Sequence, residues 1–428
     1  MTGAHPRRPI RGVPGRGGEA GCHPRVRILL VHNHYGSAAP SGENVVFGLE
    51  RDLLERSGHV VQTFVRHSDE LRGRGWMGLL QGAAATPWNP WTTAAIRRAV
   101  EAFRPDVVHA HNTFPLISPA LFPAVGRRAA RVLTLHNYRL FCPAALPVRG
   151  GRPCTECLDR RSVLPSLRHG CYRGSRAATA PLAAGVALAR ARGLWQRHVD
   201  AFIALTEFQR DLMVAAGLPA ERVHVKPNFY PGRPELVPWG ARRPCAVYVG
   251  RLSEEKGVRH LLEAWSAWGE GAPELRLVGD GPQRSALEAQ ARAAGLTGAV
   301  FLGQLQPAQA EAEIARARLL MLPSVWFEGF PMVLREAFAF GTPVAVSELG
   351  PLPGLVEHGR AGLVFRAGDA ASLLREVRAA WADPGGLEAR GAAARRAFEA
   401  RYAEPENGVA LQEIYGRAIE SQRARVAA

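Results

Sequence analysis

The sequence is poor in acidic residues and has no long apolar run. Aspartate and glutamate total 38 against 54 lysines and arginines, which gives a formal net charge of +16 at pH 7. No stretch approaches the roughly 18 uninterrupted apolar residues of a membrane-spanning helix, and the alanine-rich segment 177–191 is interrupted by Arg190. The positive charge would attract anionic small molecules, an anionic membrane surface or nucleic acid. RNA recognition would need a compact basic motif with stacking aromatic residues, which the sequence lacks, so no specific nucleic-acid partner is expected.

Cysteine is also scarce, yet its distribution is uneven. Four of the six cysteines fall within thirty residues, in the spacing C-x11-C-x2-C-x13-C; they are Cys142, Cys154, Cys157 and Cys171. A tight C-x-x-C pair with two further cysteines can hold a structural Zn²⁺. Reduced cysteines that only pack are an equally good interpretation, a redox role is a weaker one, and a disulfide is disfavoured in the cytoplasm, where we expect the protein to reside.

The order of predicted elements indicates an α/β protein. Residues 1–24 are rich in Arg, Gly and Pro and lack an apolar run, which predicts a disordered basic tail rather than a signal peptide. From residue 25 onward short apolar strands alternate with helices, which is typical of doubly wound parallel sheets. The predicted units are a first domain with a cysteine-rich insert, a proline-rich linker, a second domain and a C-terminal helix; their bounds are 25–230 with insert 139–175, 231–243, 244–403 and 404–428.

One segment of the second domain carries two acids with seven residues between them. In PSVWFEGFPMVLREAFAFGTPVAVSELG (323–350) these are Glu328 and Glu336. The apolar run 317–322 predicts a strand and Pro331 the first turn of a helix, so Glu328 lies at the carboxyl end of a strand, where open α/β sheets bind ligands. The helix start attracts phosphate, and Glu336 could accept hydrogen bonds from sugar hydroxyls, which together indicate a sugar nucleotide. An ordinary amphipathic helix with Arg335 and Glu336 solvated is the alternative.

This segment resembles the E-x7-E segment of the retaining glycosyltransferases of family four, and the likeness extends over nearly all of residues 25–420. Those enzymes have the GT-B fold, so the resemblance implies two Rossmann-like domains facing a cleft, with the last helix crossing back to the first domain. It implies transfer of a hexose from a UDP- or GDP-sugar with retention and with no cofactor required for catalysis. The insert, HNYRLFCP…RPCTECL…HGCYRGSR, closely resembles that of a bacterial subgroup that assembles polysaccharides, which implies a glycan or lipid-linked acceptor.

A pair of cations follows the first strand of the second domain. In VGRLSEEKGV, Arg251 and Lys256 could stabilise the charge that grows on a diphosphate leaving group, without a metal ion. R-x4-K beside two glutamates is also common as a surface ion cluster. The family resemblance assigns this Arg and Lys to the diphosphate, Glu328 to the hexose and Glu336 to the ribose. The donor-binding residues predicted on this basis are Gly36, Gly42, His111, Gly279, Gly281, Gly329, Phe330, Pro331, Met332, Val333 and Glu336.

The first domain contributes a histidine after a predicted strand. His136 lies in TLHNYRLFCP, and family members keep a histidine here close to the donor sugar, so we predict that it acts in catalysis with Glu328, Arg251 and Lys256. A histidine at this place is otherwise a capped residue with satisfied hydrogen bonds. The HAHN sequence upstream could equally be structural, and only His111 from it is included above. The family usually has two adjacent glycines where this chain has Ser41 and Gly42.

Three tryptophans raise the question of membrane contact. Trp76, Trp88 and Trp91 lie in or beside a Gly, Trp and Pro rich segment, 68–91, which is predicted to be a loop with a short helical piece. With the basic segment 177–198 they could touch a membrane that holds a lipid-linked acceptor. We favour burial of the tryptophans between helices, and contact with the inner face of an anionic membrane stays a hypothesis.

Two other functions stay open at this point. A GT-B sugar-nucleotide epimerase would share the fold and the donor site but need acid and base groups at the anomeric centre and no acceptor. A non-catalytic protein that binds anions or RNA would bind polymer with a steep salt dependence and ignore sugar nucleotides.

Overall fold

The structure is a computed structural model that describes residues 25–35 and 41–427. The predicted basic tail and Gly36 therefore lie outside the described residues. The described chain forms two six-stranded sheets in which every pair of neighbouring strands is parallel, and a two-stranded hairpin in the insert. The predicted pair of doubly wound parallel sheets is confirmed.

The first sheet has the strand order β2-β1-β3-β4-β7-β8. The strands of the first domain and insert are β1 (Arg27–His34), β2 (Val60–His67), β3 (Val107–Asn112), β4 (Ala130–Thr134), β5 (Val148–Arg149), β6 (Arg152–Pro153), β7 (Ala201–Ala204) and β8 (Val223–Val225). The helices are α1 (Gly42–Arg56), α2 (Asp69–Arg72), α3 (Gly75–Ala85), α4 (Pro90–Phe103), α5 (Leu121–Val125), α6 (Glu156–Asp159), α7 (Leu164–His169), α8 (Arg176–Ala191), α9 (Leu194–His198) and α10 (Glu207–Ala215).

The second sheet has the order β11-β10-β9-β12-β13-β14, in which the chain starts in the middle and winds outward in both directions. Its strands are β9 (Arg243–Val249), β10 (Glu274–Val278), β11 (Ala299–Gly303), β12 (Ala317–Leu322), β13 (Val344–Ser347) and β14 (Gly362–Phe365). The remaining helices are α11 (Val258–Trp268), α12 (Arg284–Ala293), α13 (Pro307–Arg316), α14 (Met332–Ala339), α15 (Leu352–Leu355), α16 (Ala370–Trp381), α17 (Pro384–Arg401) and α18 (Glu404–Ala427).

The central strands are buried along nearly their whole length because helices cover both faces of each sheet. Every residue of β3 is buried, and five of the six residues of β12 are buried. Strands β9 and β12 are neighbours although five helices and strands separate them in the chain, so the sheet winds in opposite directions on either side of them. A crevice forms at the carboxyl ends of two such strands, which makes this the expected ligand site of the second domain.

The last helix packs on the first domain. Side chains of α18, including Leu411, Ile414 and Tyr415, join a buried cluster with Ile28 and Leu30 of β1. The Tyr415 hydroxyl also lies 2.8 Å from Nδ1 of His109. The two sheets are therefore tied together by the chain that leaves the second domain as well as by the linker.

The prediction of a loop over 68–91 was wrong. Helices α2 and α3 occupy most of it, and α4 begins at Pro90. Packing requires glycine in this helix despite its low helix propensity: a Cβ added at Gly78 would lie 2.0 Å from the carbonyl oxygen of Leu71, and one at Gly82 2.8 Å from the Leu71 side chain. No helix in the described part of the chain is both long and apolar enough to cross a membrane.

Candidate active site

Glu328 lies in the loop after β12 and its carboxylate is held by three donors. Oε1 accepts hydrogen bonds from Lys256 Nζ at 2.8 Å, Ser324 Oγ at 2.6 Å and Trp326 Nε1 at 3.1 Å. The Glu328 side chain is only 5% exposed. Three donors fix this buried carboxylate in position at the carboxyl end of the second sheet.

Lys256 reaches Glu328 because two loops approach closely. Gly257, which follows Lys256, has φ +67°, and a Cβ there would lie 2.1 Å from the carbonyl oxygen of Pro323. The backbone N–H of Val325 donates to the carbonyl oxygen of Glu255 at 2.9 Å. Glycine thus lets the loop after β9 dock on the loop after β12.

Arg251, in the same loop as Lys256, is exposed. Its guanidinium makes no ion pair or hydrogen bond among the described residues, whereas Lys256 is already paired with Glu328. The structure therefore places one paired cation and one unpaired cation at the end of β9. An exposed, unpaired guanidinium is suited to bidentate contact with a phosphate.

Gly279 and Gly281 follow β10, beside this loop. Their φ angles are +134° and +159°, and added Cβ atoms would lie 1.9 Å from the Gly250 carbonyl oxygen and 2.4 Å from that of Leu252. The two loops also exchange backbone hydrogen bonds, such as Leu252 N to the Asp280 carbonyl oxygen at 2.9 Å. These glycines are required by contacts within the protein, which set the path of the loop that carries Arg251.

Glu336 lies on α14 beside a buried arginine. Burial raises the pKa of the Glu336 carboxyl, the Arg335 guanidinium opposes that rise, and nearby Glu311 adds to it. The Arg335 side chain is 3% exposed, and its Nε and Nη1 atoms are buried without a hydrogen-bond partner. The alternative with both Arg335 and Glu336 solvated is therefore wrong, because α14 buries the arginine.

The start of α14 faces the first domain. A Cβ at Gly329 would lie 3.2 Å from the His136 carbonyl oxygen, and one at Gly42 would lie 3.3 Å from Cγ of Met332. Tyr138 O–H donates to the Glu328 carbonyl oxygen at 3.0 Å. The structure thus brings His136, Gly42, Gly329, Met332 and Glu328 together across the cleft.

Three predicted donor-binding residues contribute little accessible side chain. Phe330 is buried and packs on Tyr402 with ring centroids 5.6 Å apart, and Pro331 is buried at the start of α14. Val333 packs against the core of the second domain. Only their backbone atoms remain for contact with a donor.

His136 contacts a buried chain of polar groups. Its Nε2 lies 3.1 Å from Nδ1 of His111, and Nε2 of His111 lies 3.4 Å from Oε2 of Glu50. Lys226 Nζ donates to Oε1 of Glu50 at 2.6 Å and to Asn407 at 2.8 Å. Burial lowers the pKa of His136 to about 3, so this histidine is neutral at pH 7.

Sequence reasoning missed Glu50 and Lys226. Lys226 is the one charged residue of VHVKPNF, and that oddity was an available signal. Glu50 is followed directly by Arg51 and Asp52 in VVFGLERDLL, so nothing in the local sequence marks it as a buried charge. The two residues lie 176 positions apart, so their pairing could not be read from spacing.

Glu50, His109 and His111 place ligand atoms within 4.8 Å of one another, close enough to hold a metal ion. Two observations favour a hydrogen-bonded network instead. Lys226 already neutralises Glu50, and both ring nitrogens of His109 have partners at 2.8 Å, in Tyr415 and Thr134.

The four clustered cysteines are free thiols and partly buried. Burial raises the pKa of the Cys142 thiol to about 12, and the neighbouring Cys157 and Cys171 sulfurs add to that rise. In the described chain, however, no three of them bring their sulfur atoms within 4.8 Å of one another. The donor set suits zinc, but the sulfur atoms are too far apart for a formed tetrahedral site.

A small cavity of about 80 Å³ adjoins His136 in the first domain. His111, His136 and Arg139 supply its polar wall. Its apolar wall comes from β4 and from helices on one side of the sheet; it includes Leu133, Leu135, Leu182, Val186 and Trp195. The cavity lies on the first-domain side of the cleft, away from the loops of Arg251 and Lys256.

Known proteins are similar to this chain in sequence and in fold. The profile of the family described as Glycosyl transferases group 1 matches residues 243–383, and that of Glycosyltransferase Family 4 matches residues 42–231. A 2-deoxystreptamine N-acetyl-D-glucosaminyltransferase of Streptomyces fradiae is 32% identical over 343 residues, which covers 77% of this chain and 74% of that protein.

Among solved structures, the sucrose-phosphate synthase of Thermosynechococcus elongatus is similar with a TM-score of 0.66 and 18% identity, covering 92% of this chain and 100% of that chain. HepE of Anabaena in complex with UDP and glucose is similar with a TM-score of 0.60 and 19% identity, covering 91% of this chain and 99% of that chain. The fold is GT-B. The chain belongs to the group 1, family 4 glycosyltransferases.

Proposed function

We propose that the protein is a retaining, metal-independent hexosyltransferase that moves a sugar from UDP- or GDP-hexose to a glycan or lipid-linked acceptor in the synthesis of cell-surface polysaccharide. The observation that carries the proposal is the Lys256–Glu328 pair at the carboxyl ends of β9 and β12, with His136 across the cleft. This arrangement puts a cation, a fixed carboxylate and a neutral imidazole around one crevice.

Arg251 and Lys256 would hold the diphosphate of the donor. The exposed guanidinium of Arg251 binds two phosphate oxygens, and Lys256, whose Nζ is 2.8 Å from Glu328, adds positive charge deeper in the crevice. Negative charge on the leaving diphosphate rises as the glycosidic bond breaks, so both cations stabilise the transition state more than the bound donor. No metal ion is needed for this role.

The carboxylates would hold the sugars of the donor. The Glu328 carboxylate accepts hydrogen bonds from the hexose hydroxyls, and the backbone N–H groups that follow it donate to hexose oxygens. The Glu336 carboxylate accepts from the ribose hydroxyls. Retention follows if the acceptor hydroxyl attacks from the face that the diphosphate leaves and passes its proton to that leaving group. No enzyme nucleophile takes part in such a step.

His136 would contact the hexose as a neutral hydrogen-bonding group. Burial lowers its pKa to about 3, so it does not add a positive charge beside the breaking bond. Nε2 of His136 and Nδ1 of His111 lie 3.1 Å apart, so one ring donates to the other; where Nε2 of His136 is the donor, its Nδ1 is left as an acceptor for a hydroxyl. The cavity beside His136 is the candidate place for part of the acceptor.

The test is donor hydrolysis followed by transfer. The purified protein is incubated with a panel of UDP- and GDP-hexoses in the presence of EDTA, and release of nucleoside diphosphate is measured. We expect slow hydrolysis of one donor, abolished in Glu328→Ala and unchanged in Glu288→Ala, a surface carboxylate on α12. If the folded protein hydrolyses none of the donors and binds no nucleotide, the proposal is contradicted.

The accepted donor is then supplied with candidate acceptors. A lipid-linked sugar tests the proposed role, and 2-deoxystreptamine tests the acceptor type named for the Streptomyces fradiae relative. The anomeric configuration of the product, read from the coupling constant of its anomeric proton, decides between retention and inversion. Conversion of the donor sugar to its epimer without any acceptor would favour an epimerase instead.

A further inference from the structure

The outer face of α3 is apolar and exposed. Trp76, Met77 and Leu80 are 70%, 59% and 62% exposed, and Trp91 at the start of α4 is 66% exposed. We call these four residues the α3 ridge. The other face of α3 is buried through Gly78, Gly82 and Ala85, so the helix is held in place while its largest side chains point to solvent. The interpretation that Trp76 and Trp91 are buried between helices was wrong.

An exposed face of this composition is unusual for a soluble surface. Helix α3 has the sequence GWMGLLQGAAA, with no charged residue. Surface helices normally turn charged residues outward and apolar residues inward. Large apolar side chains gathered on one outer face mark a surface that contacts a partner.

Two segments at and beside the ridge are rich in arginine. Segment 71–100 contains four arginines, segment 160–199 contains eight arginines, and neither contains an aspartate or glutamate. Helices α3 and α8 are packed together. A Cβ added at Gly185 of α8 would lie 3.3 Å from Cα of Pro87, just after α3. These two segments therefore contain twelve arginines and no acidic residue, and the whole chain has a net charge of +16.

Acids adjoin these segments, and several are already paired: Glu101 of α4 lies 3.3 Å from Arg128, and Glu156 lies 3.2 Å from Arg160. Asp69 and Glu70 lie on α2, and Glu70 is paired with Arg66 at 2.6 Å. Within α4, Arg98 follows Trp91 by seven residues and so lies on the same face two turns away. Tryptophan and leucine flanked by arginine match the interfacial region of a bilayer, where the rings enter the headgroup layer and the guanidinium groups contact anionic lipid.

We propose that the α3 ridge and its arginine flank dock the first domain on an anionic membrane surface. An RNA would use the charge but not Met77 and Leu80, and a second copy of this chain would bring its own positive charge to the same face. Docking here has a consequence that rests on the proposed function. Thr86, after α3, and Val186 of α8 line the cavity beside His136, so that cavity would face the membrane in which a lipid-linked acceptor resides.

The experiment is vesicle sedimentation with the full-length protein. Vesicles contain phosphatidylglycerol and phosphatidylcholine, or phosphatidylcholine alone, at low salt and at 0.5 M NaCl. We expect pelleting with the anionic vesicles at low salt, reduced at high salt, and at least about tenfold weaker in the double variant Trp76→Ser/Leu80→Ser. Val409→Ser removes a similarly exposed apolar side chain on α18 and should pellet like the wild type.

Folding and chemistry are monitored in the same variants. The double variant should keep the wild-type unfolding transition and donor hydrolysis, since neither residue belongs to the cleft, so a failed vesicle assay is separable from a failed transferase assay. Equal pelleting of the double variant and wild type would overturn the proposal. Wild-type protein that stays in the supernatant with anionic vesicles would also overturn it. So would a dimer or RNA binding that depends on the α3 ridge, if the protein does not bind vesicles.

Discussion

Lys256 and Glu328 form an ion pair of 2.8 Å between the loops that follow two adjacent strands of the second sheet. The carboxylate is nearly buried, while the ammonium group retains some contact with solvent. Ser324 and Trp326 donate to the same carboxylate oxygen, so the pair belongs to a small network rather than standing alone. Under the proposed function, donor binding and folding stability therefore depend on the same two side chains.

The pair predicts coupled effects of substitution. Lys256→Met and Glu328→Gln should each reduce turnover by about 100-fold or more, because each removes a charge from the crevice. In urea denaturation, Lys256→Met should lower the free energy of unfolding by about 1–3 kcal/mol, since it leaves a buried carboxylate without its cation. The double variant should lose less stability than the two single losses added together. Additive stability losses would mean that the ion pair is not formed in solution.

Arg251 should affect the donor and leave the fold unchanged. Its guanidinium is exposed and unpaired among the described residues, so Arg251→Ala should change the free energy of unfolding by less than about 0.5 kcal/mol. The KM for the donor should rise about 10- to 100-fold, and Arg251→Lys should restore only part of that loss, because an ammonium group does not bind two phosphate oxygens in one plane. Arg292→Ala, an exposed arginine on α12, is the matched control. An unchanged KM in Arg251→Ala would remove this residue from the donor site.

The buried histidines predict that the protein loses stability in mild acid. Burial lowers the pKa of His32 to about 4 and of His136 to about 3, and it lowers the pKa of His109 and His111 well below 6.5. Below about pH 6.5 the unfolded chain binds protons at these residues that the folded chain does not, so stability falls with pH by up to about 1.4 kcal/mol per pH unit for each histidine. Above about pH 7.5 this contribution is fully present.

Urea denaturation at pH 7.5, 6.0 and 5.0 measures this slope. Glu50 acts in the same direction, because Lys226 and His111 overcome the effect of burial and hold its pKa below 4.5, so its contribution is lost as pH falls further. His136→Gln should make the slope shallower by about one proton, because the variant lacks one group at which the unfolded chain binds a proton that the folded chain excludes. A flat free energy of unfolding between pH 7.5 and 5.0 would contradict neutral burial of the four histidines.

Gly279 should tolerate no side chain. A Cβ there would lie 1.9 Å from the Gly250 carbonyl oxygen, at a φ of +134° that other residues rarely adopt. We expect Gly279→Ala to lower the free energy of unfolding by more than about 2 kcal/mol or to prevent folding of the second domain. Gly298→Ala, where an added Cβ meets nothing within 4 Å, should cost less than about 0.5 kcal/mol. Equal effects of the two changes would show that the loops after β9 and β10 do not pack as described.

The cysteine-rich insert allows a direct metal assay. If zinc draws the four thiols together, protein purified without chelator should contain about one zinc per chain, and Cys154→Ser/Cys157→Ser should contain none. Removal of zinc should loosen the insert, measured by protease cleavage within 139–175, while donor hydrolysis continues. Metal-free wild-type protein with an ordered insert would mean that the cysteines only pack.

The sequence by itself determined the elements and the ends of the strands at which chemistry is placed. Apolar runs of strand length separated by helical patterns predicted both parallel sheets, since a strand covered on both faces is mostly apolar. The spacing within 323–350 put Glu328 directly after β12, and the spacing around Arg251 put it directly after β9. Local order along the chain is enough for such inferences, because parallel strands deliver their carboxyl ends to one edge.

The tertiary structure decided which distant groups meet and which faces remain open. The contact between Glu50 and Lys226 joins positions 176 residues apart, and nothing in either local sequence names its partner. The sequence of 75–85 likewise does not indicate whether another element covers Trp76. The glycines that suggested a loop form the packed face of a helix. Which charged side chains pair, and which apolar side chains are covered, depends on how elements distant in the chain pack together. The local sequence does not contain that information.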